Sequence, residues 1–137
     1  MTERRGIAGE ATTMPLDVRS KRIYDPPDDA DGYRILIDHI WPRGVSHDRA
    51  CLDEWARELA PSAQLRKWFD HRPARFAEFR ARYRDELIAH ADRLDELRRR
   101  GADSRLTILY AARDREHNNA VVVTELLRDG EPADAGP

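Results

Sequence analysis

The sequence predicts a small α/β layer fold in which a mixed three-stranded sheet is covered by about four to five helices. Three observations carry that reading. Three short runs rich in Ile, Leu, Tyr and Trp have strand length: "RIY" at 22–24, "YRILIDHIW" at 33–41 and "LTILYAA" at 106–112. The long interval between the second and third runs repeats its apolar residues every three to four positions, as helices packed on a core do. A chain of 137 residues with one cysteine, Cys51, then buries that core as a single domain without an intrachain disulfide.

Taken in order, residues 1–17 ("MTERRGIAGEATTMPLD") lack sustained periodicity and are expected to form a disordered extension, with Met14 as a second candidate start. The folded unit is placed at 18–128, and the acidic, Pro/Gly-rich stretch 129–137 is expected to be a disordered tail. The strand Arg22–Tyr24 stops at "DPPDDADG". That loop is too short for a helical crossover, so the first two strands are expected to pair antiparallel. Along Tyr33–Trp41, alternation puts Tyr33, Ile35, Ile37, His39 and Trp41 on one face and Leu36, Asp38 and Ile40 on the other. Both faces are mostly apolar, as in a central strand.

Ser46 is the expected N-cap of a helix over 47–60, "HDRACLDEWARELA", with Leu52, Trp55, Ala56 and Leu59 at i, i+3, i+4 and i+7. Pro61 ends that helix, and Ser62 caps a short one bearing Leu65, Trp68 and Phe69 on one side. Pro73 opens a long helix whose stripe of Phe76, Phe79, Tyr83 and Leu87 is interrupted near Asp92, resumes at Leu94 and Leu97, and closes at Gly101. Residues 113–128 form the last helix. A strand, a helical connection and a further strand give a right-handed crossover, which makes the second and third strands parallel.

The 24 Lys and Arg against 26 Asp and Glu leave a net charge of -2, so the chain as a whole does not attract nucleic acid or acidic lipid. No segment has the length and apolarity of a signal peptide or a membrane span, and a cytoplasmic setting is expected. Arg80, Arg82, Arg84 and Arg98 to Arg100 share their helices with Glu78, Asp85, Glu86, Asp95 and Glu96, which reads as a solvated, charge-balanced face. The densest mixture of cations and rings is "LRKWFDHRPARF" at 65–76. It supports an alternative function as a nonenzymatic nucleic-acid- or protein-binding module.

Parallel strands end on one side of a sheet, and ligands of open α/β folds gather beyond those ends. The edge receives Asp38, Trp41 and Arg43 from the second strand, and Asp114, His117, Asn118 and Asn119 from the third. Two Asn in succession after a His, at the start of an apolar helix, serve neither helix propensity nor packing; one of them can serve as a cap, and both together favour a polar contact. A helix N-terminus with Arg43 nearby suits an anion. The expected partner is therefore a small polar or anionic ligand, and acid-base work by His117 or Asp114 is the chemistry these residues allow. Cys51 falls within a helix, and Ser46 and Ser62 act as caps, so no nucleophile stands out. No cofactor and no metal are expected, because no two of the five histidines have the i, i+4 spacing of a ligand pair. A site using His71 and His117 is the metal alternative. Structural readings stand beside the functional ones: Asp38 as the ion-pair partner of Arg43 or another Arg, Trp41 as core, and Asp114 as the N-cap of the last helix.

With these segments in place, the chain resembles the YeaO-like branch of the domain of unknown function 488 family. The resemblance runs through "RIYDPP", "DGYRILIDHIWPRGVS", "LDEWARELAPSAQLRKWFDH", "FAEFRARYRDEL" and "LTILYAARDREHNNAVVV". It implies no established activity. It marks Asp38, Trp41, Pro42, Arg43 and Gly44, then Pro61, Ser62, Leu65, Arg66, Trp68, Phe69 and His71, and finally Tyr110, Asp114, His117, Asn118, Asn119 and Ala120. On this basis Arg66 and His71 join the expected ligand-binding set, with 61–71 as a third wall of the crevice. The chain departs from the family pattern at His39, where Arg is usual, at His47, where Lys is common, and at Asp70, where Gly is common.

Overall fold

A computed structural model describes residues 16–129. Residues 1–15 and 130–137, which make up most of the two expected tails, lie outside the described residues. The fold is α/β. Its strands are β1 (Val18–Arg22), β2 (Tyr33–Leu36), β3 (Glu54–Trp55) and β4 (Leu106–Tyr110). Its helices are α1 (His47–Ala50), α2 (Ala63–Phe69), α3 (Phe76–Ile88), α4 (Ala91–Gly101) and α5 (Asn119–Arg128).

The sheet has four strands in the order β1-β4-β2-β3, all parallel, which corrects the expected mixed three-stranded sheet. The antiparallel expectation assumed that the first two strands are neighbours. They are not: β4 lies between them, pairing Val18 with Leu106 on one side and Tyr33 with Leu106 on the other. The first strand also begins earlier than its expected start at Arg22. The parallel pairing of β2 with β4 is as expected.

β4 is buried along its whole length, as a parallel strand covered on both faces must be. Its period of two sends Leu106, Ile108 and Tyr110 into the larger core, with Phe69, Phe76, Phe79, Tyr83, Leu94, Leu97 and Val123 from α2 to α5. Leu109 joins a smaller cluster on the other face, with Ile23, Leu36 and Ala50, against which Trp41, Val45, Leu52 and Trp55 pack.

The continuous helix expected over 47–60 is not formed. Ser46 does cap α1, accepting from Arg49 N, but α1 ends at Ala50, and Cys51 adopts a left-handed conformation at φ +50°. The chain then runs through β3 into a 3-10 turn at Arg57–Leu59. The helix-like spacing misleads because its residues serve two cores: Leu52 and Trp55 pack on the small cluster, whereas Ala56 and Leu59 enter the large one. The expected α2 forms, with the Ser62 hydroxyl accepting from Leu65 N. Pro73 opens a 3-10 turn that leads into α3, and the predicted interruption falls at Ala89–His90.

Two local devices fix the strand ends. Gly32, at φ +67°, lies so close to the next strand that a Cβ would sit 2.3 Å from Arg105 O. Asp31 receives Lys21 Nζ at 3.0 Å and Arg34 Nη1 at 2.5 Å, while Arg34 Nη2 and Nε donate to the Ala50 and Cys51 carbonyls at 2.8 and 3.0 Å. The buried guanidinium thereby ties β2 to the carboxyl end of α1, where carbonyls lack helical partners.

Candidate functional site

Because the strands are parallel, the exits of β2 and β4 lie side by side. Ile37 still donates its N–H to Leu109 O, at 3.4 Å, and beyond it the two segments diverge. Between them opens a cavity of about 610 Å³. One wall is the β2 exit, with Asp38, His39, Ile40, Trp41, Pro42 and Arg43. The second is the β4 exit and the start of α5, with Ala111, Ala112, His117, Asn118 and Asn119. The third comes from 61–71, with Pro61, Arg66, Phe69 and His71, and Phe79 of α3 lies beneath.

Asp38 departs from its expected place. Strand alternation holds through Ile35, Leu36 and Ile37 and then ends, so Asp38 does not point with Leu36, and Trp41 packs with the small cluster rather than with Ile35. The carboxylate is held by neutral donors, Ala111 N to Oδ2 at 2.9 Å and Asn119 Nδ2 to Oδ1 at 3.0 Å. No ion pair links it to Arg43 among the described residues. Burial pushes the Asp38 carboxyl above its ordinary value, partly opposed by those two hydrogen bonds and by the positive field of Arg66 and His71.

Asp114 and His117 form a second unit. Asp114 Oδ1 accepts the N–H groups of Glu116 and His117 at 2.9 and 3.0 Å, and Oδ2 meets His117 Nδ1 at 2.9 Å. These contacts, with the Glu116 N–H foremost, hold the Asp114 carboxyl below its ordinary value. An ionised carboxylate only accepts, so the neutral His117 ring carries its proton on Nδ1, with Nε2 as its acceptor nitrogen, and the protonated ring turns Nε2 into a donor. The ring also packs edgewise on Phe76, at 5.2 Å between centroids. His117 lines the cavity; Asp114 does not, and acts through it.

The N-cap of α5 is Asn118, so one of the two Asn serves as the cap and Asp114 does not. The Asn118 side-chain oxygen accepts from Val121 N at 3.0 Å and its amide donates to Asp114 O at 2.8 Å. Its amide is thus committed to the helix start, although Asn118 borders the cavity. Asn119 bridges: its oxygen accepts from Ala120 N at 3.0 Å and its Nδ2 holds Asp38.

Trp41 donates Nε1 to Val45 O at 2.6 Å and stacks on His47 at 4.0 Å. Arg43 is exposed, and its carbonyl accepts from Tyr24. Arg66 is half-buried and donates to Pro61 O at 3.2 Å. His71 is placed by two successive left-handed residues, Asp70 at φ +51° and His71 at +52°, which turn the chain sharply after α2. Among the described residues, no group of three or more His, Cys, Asp and Glu is placed to hold a metal ion.

Sequence reasoning missed His39, Ile40, Phe79 and Ala111 as lining residues. The small pair Ala111-Ala112, directly after the apolar β4, was an available sign that space is kept at that strand end. The direct bond between Asp38 and Asn119, across a separation of 81 residues, has no local signature.

A family model described as "Inactive DUF488-N3 subclade" matches residues 17–135. The chain belongs to this DUF488-N3i family. As a YeaO-like member of the domain of unknown function 488 proteins, it is 40% identical to the uncharacterized protein YeaO of Escherichia coli (strain K12) over 113 residues, 82% of this chain and 98% of that protein. It is 41% identical over 110 residues to the uncharacterized proteins Rv3073c of Mycobacterium tuberculosis (strain ATCC 25618 / H37Rv) and Mb3100c of Mycobacterium bovis (strain ATCC BAA-935 / AF2122/97), covering 80% of this chain and 92% of each. No solved structure significantly matches this DUF488-N3i chain. Among its described residues no helix is long and apolar enough to cross a membrane.

Proposed function

We propose that the chain binds a small polar or anionic ligand in the crevice at the carboxyl ends of β2 and β4. The observation that carries this reading is the make-up of the walls: Arg43, Arg66, His39, His71 and His117 border one cavity in which Asp38 is the sole carboxylate among the lining residues. Guanidinium groups and imidazoles around an apolar floor favour an anionic group on a partly apolar body, and the volume is in the range of small-molecule pockets. The word "inactive" in the family description favours binding over turnover. The oriented His117–Asp114 pair supports a second reading, in which Nε2 accepts a proton from the ligand.

The surface alternative has weaker support. Trp68 lies beneath Arg75 and Arg82, 5.4 and 4.6 Å from its ring centroid, but Arg82 pairs with Glu78, Arg72 pairs with Asp70, and Arg75 donates to Trp68 O. These occupied cations offer less to a phosphate backbone.

A thermal-shift screen of small anionic metabolites tests the crevice, since a ligand that binds only the folded state raises Tm with its occupancy. Each hit is expected to lose its shift in Arg66→Gln and in His117→Ala. Hits that persist unchanged in both variants refute the assignment.

A further inference from the structure

The crevice has a feature that a simple anion would not use. Asp38 and Asn119 lie side by side, joined by one hydrogen bond of 3.0 Å from Asn119 Nδ2 to Asp38 Oδ1. Each is also fixed from behind, Asp38 Oδ2 by Ala111 N and Asn119 Oδ1 by Ala120 N. Fixed in this way, the pair keeps a spare lone pair on Asp38 Oδ1 and the second N–H of Asn119 Nδ2. An acceptor therefore stands beside a donor. The complementary edge carries an N–H donor next to an acceptor, as the polar edge of a nucleobase does.

The surroundings favour a flat ligand over a primary amide. Phe69 and Phe79 stack at 4.4 Å beneath the cavity, Trp41 and Pro42 border it, and Ile40 stands 73% exposed at its lip. Arg66 and His71 lie on the third wall, and Arg43 follows Pro42 on the first, where an anionic group on the same molecule would meet them. We infer that the crevice takes a nucleotide-like ligand, with the polar edge of a planar base against Asp38 and Asn119 and its phosphate toward Arg43, Arg66 and His71. The inference rests on the crevice reading and assigns its ligand class and the residues that choose it.

Calorimetric titration of the full chain with AMP, CMP, GMP, UMP, ribose 5-phosphate and L-glutamine tests this. Ribose 5-phosphate keeps the phosphate and loses the base; glutamine keeps a donor-acceptor amide edge and loses the ring. At least one nucleotide is expected to bind about tenfold or more tightly than either, the usual order for a paired base edge. Asp38→Asn, checked for folding by circular dichroism, should bring that ratio toward one. So should Asn119→Ala, which leaves the Asn118 cap in place. If ribose 5-phosphate matches the best nucleotide and Arg66→Gln weakens both, the anion crevice stands and the base-reading role is overturned. Glutamine binding as tightly as any nucleotide overturns the nucleotide class. If none of the four nucleotides binds, this inference fails, while the crevice is still judged by the wider metabolite screen.

Discussion

Replacing Asp38 by Asn separates two accounts of this buried carboxylate through the pH dependence of its cost. In the structure Asp38 accepts from Ala111 N and Asn119 Nδ2, and no arginine is paired with it among the described residues. An asparagine keeps one acceptor oxygen, which can serve Ala111, and turns an amide NH2 toward the amide of Asn119. One hydrogen bond to a charged acceptor is lost, worth about 1.5–3 kcal/mol, offset in part by no longer burying a charge. The expected net cost near neutral pH is about 1–2 kcal/mol. The sign of its pH dependence follows from burial, which raises the folded-state value above the ordinary 3.8. A carboxyl raised on folding contributes stability that is fully present below the unfolded value and is lost as pH rises through the folded one. The wild-type advantage over Asp38→Asn should therefore be largest below the unfolded value and shrink from pH 4 toward pH 7. Urea unfolding of both proteins at the two pH values measures it. A cost that grows from pH 4 to pH 7 is what a structural ion pair to Arg43 or Arg66 would produce, and it would refute the reasoning.

Three further outcomes are expected. Asp70→Gly should stabilise the protein by about 0.5–1 kcal/mol, because the left-handed conformation costs an L-residue more than Gly loses in chain entropy, and the exposed contact to Arg72 contributes little; a lower Tm than wild type contradicts this. Gly32→Ala should cost more than about 2 kcal/mol by chemical denaturation, since its Cβ meets the Arg105 carbonyl and its φ disfavours any side chain. Nitrogen NMR should find His117 protonated on Nδ1 near pH 8, and Asp114→Asn should weaken that preference; an Nε2–H tautomer in the wild type would remove Asp114 as its positioning residue.

The α/β class and the helices that close the large core were legible because each depends on local periodicity, and the parallel pair β2–β4 because a helical connection between strands imposes it. The position of β1 was not, because no residue of Val18–Arg22 records that its neighbour is 88 positions away. Nor was β3, two residues long, within a segment whose spacing matches a helix turn for turn. At the site, the polar residues of both strand exits drew attention from sequence because they interrupt apolar runs. Their partners did not follow from it. Arg43 is close to Asp38 in sequence, yet β4 brings Ala111 and Asn119 nearer, and the backbone N–H of Ala111 is a donor that no residue type announces.

The strand order also constrains how the chain reaches this shape. β4 is the common neighbour of β1 and β2, and it belongs to the last third of the chain. During synthesis, therefore, the first hundred residues can form helices and the short β2–β3 pairing, but the centre of the sheet is missing until Leu106–Tyr110 leave the ribosome. Until then β1 has no partner, and the apolar faces of α3 and α4 have little to cover them. Such long-range closure is slow relative to local structure and exposes sticky surface while it waits. Chains arrested before about residue 110 should remain open to proteases and chaperones, and protection should appear abruptly once β4 is available rather than build up in steps.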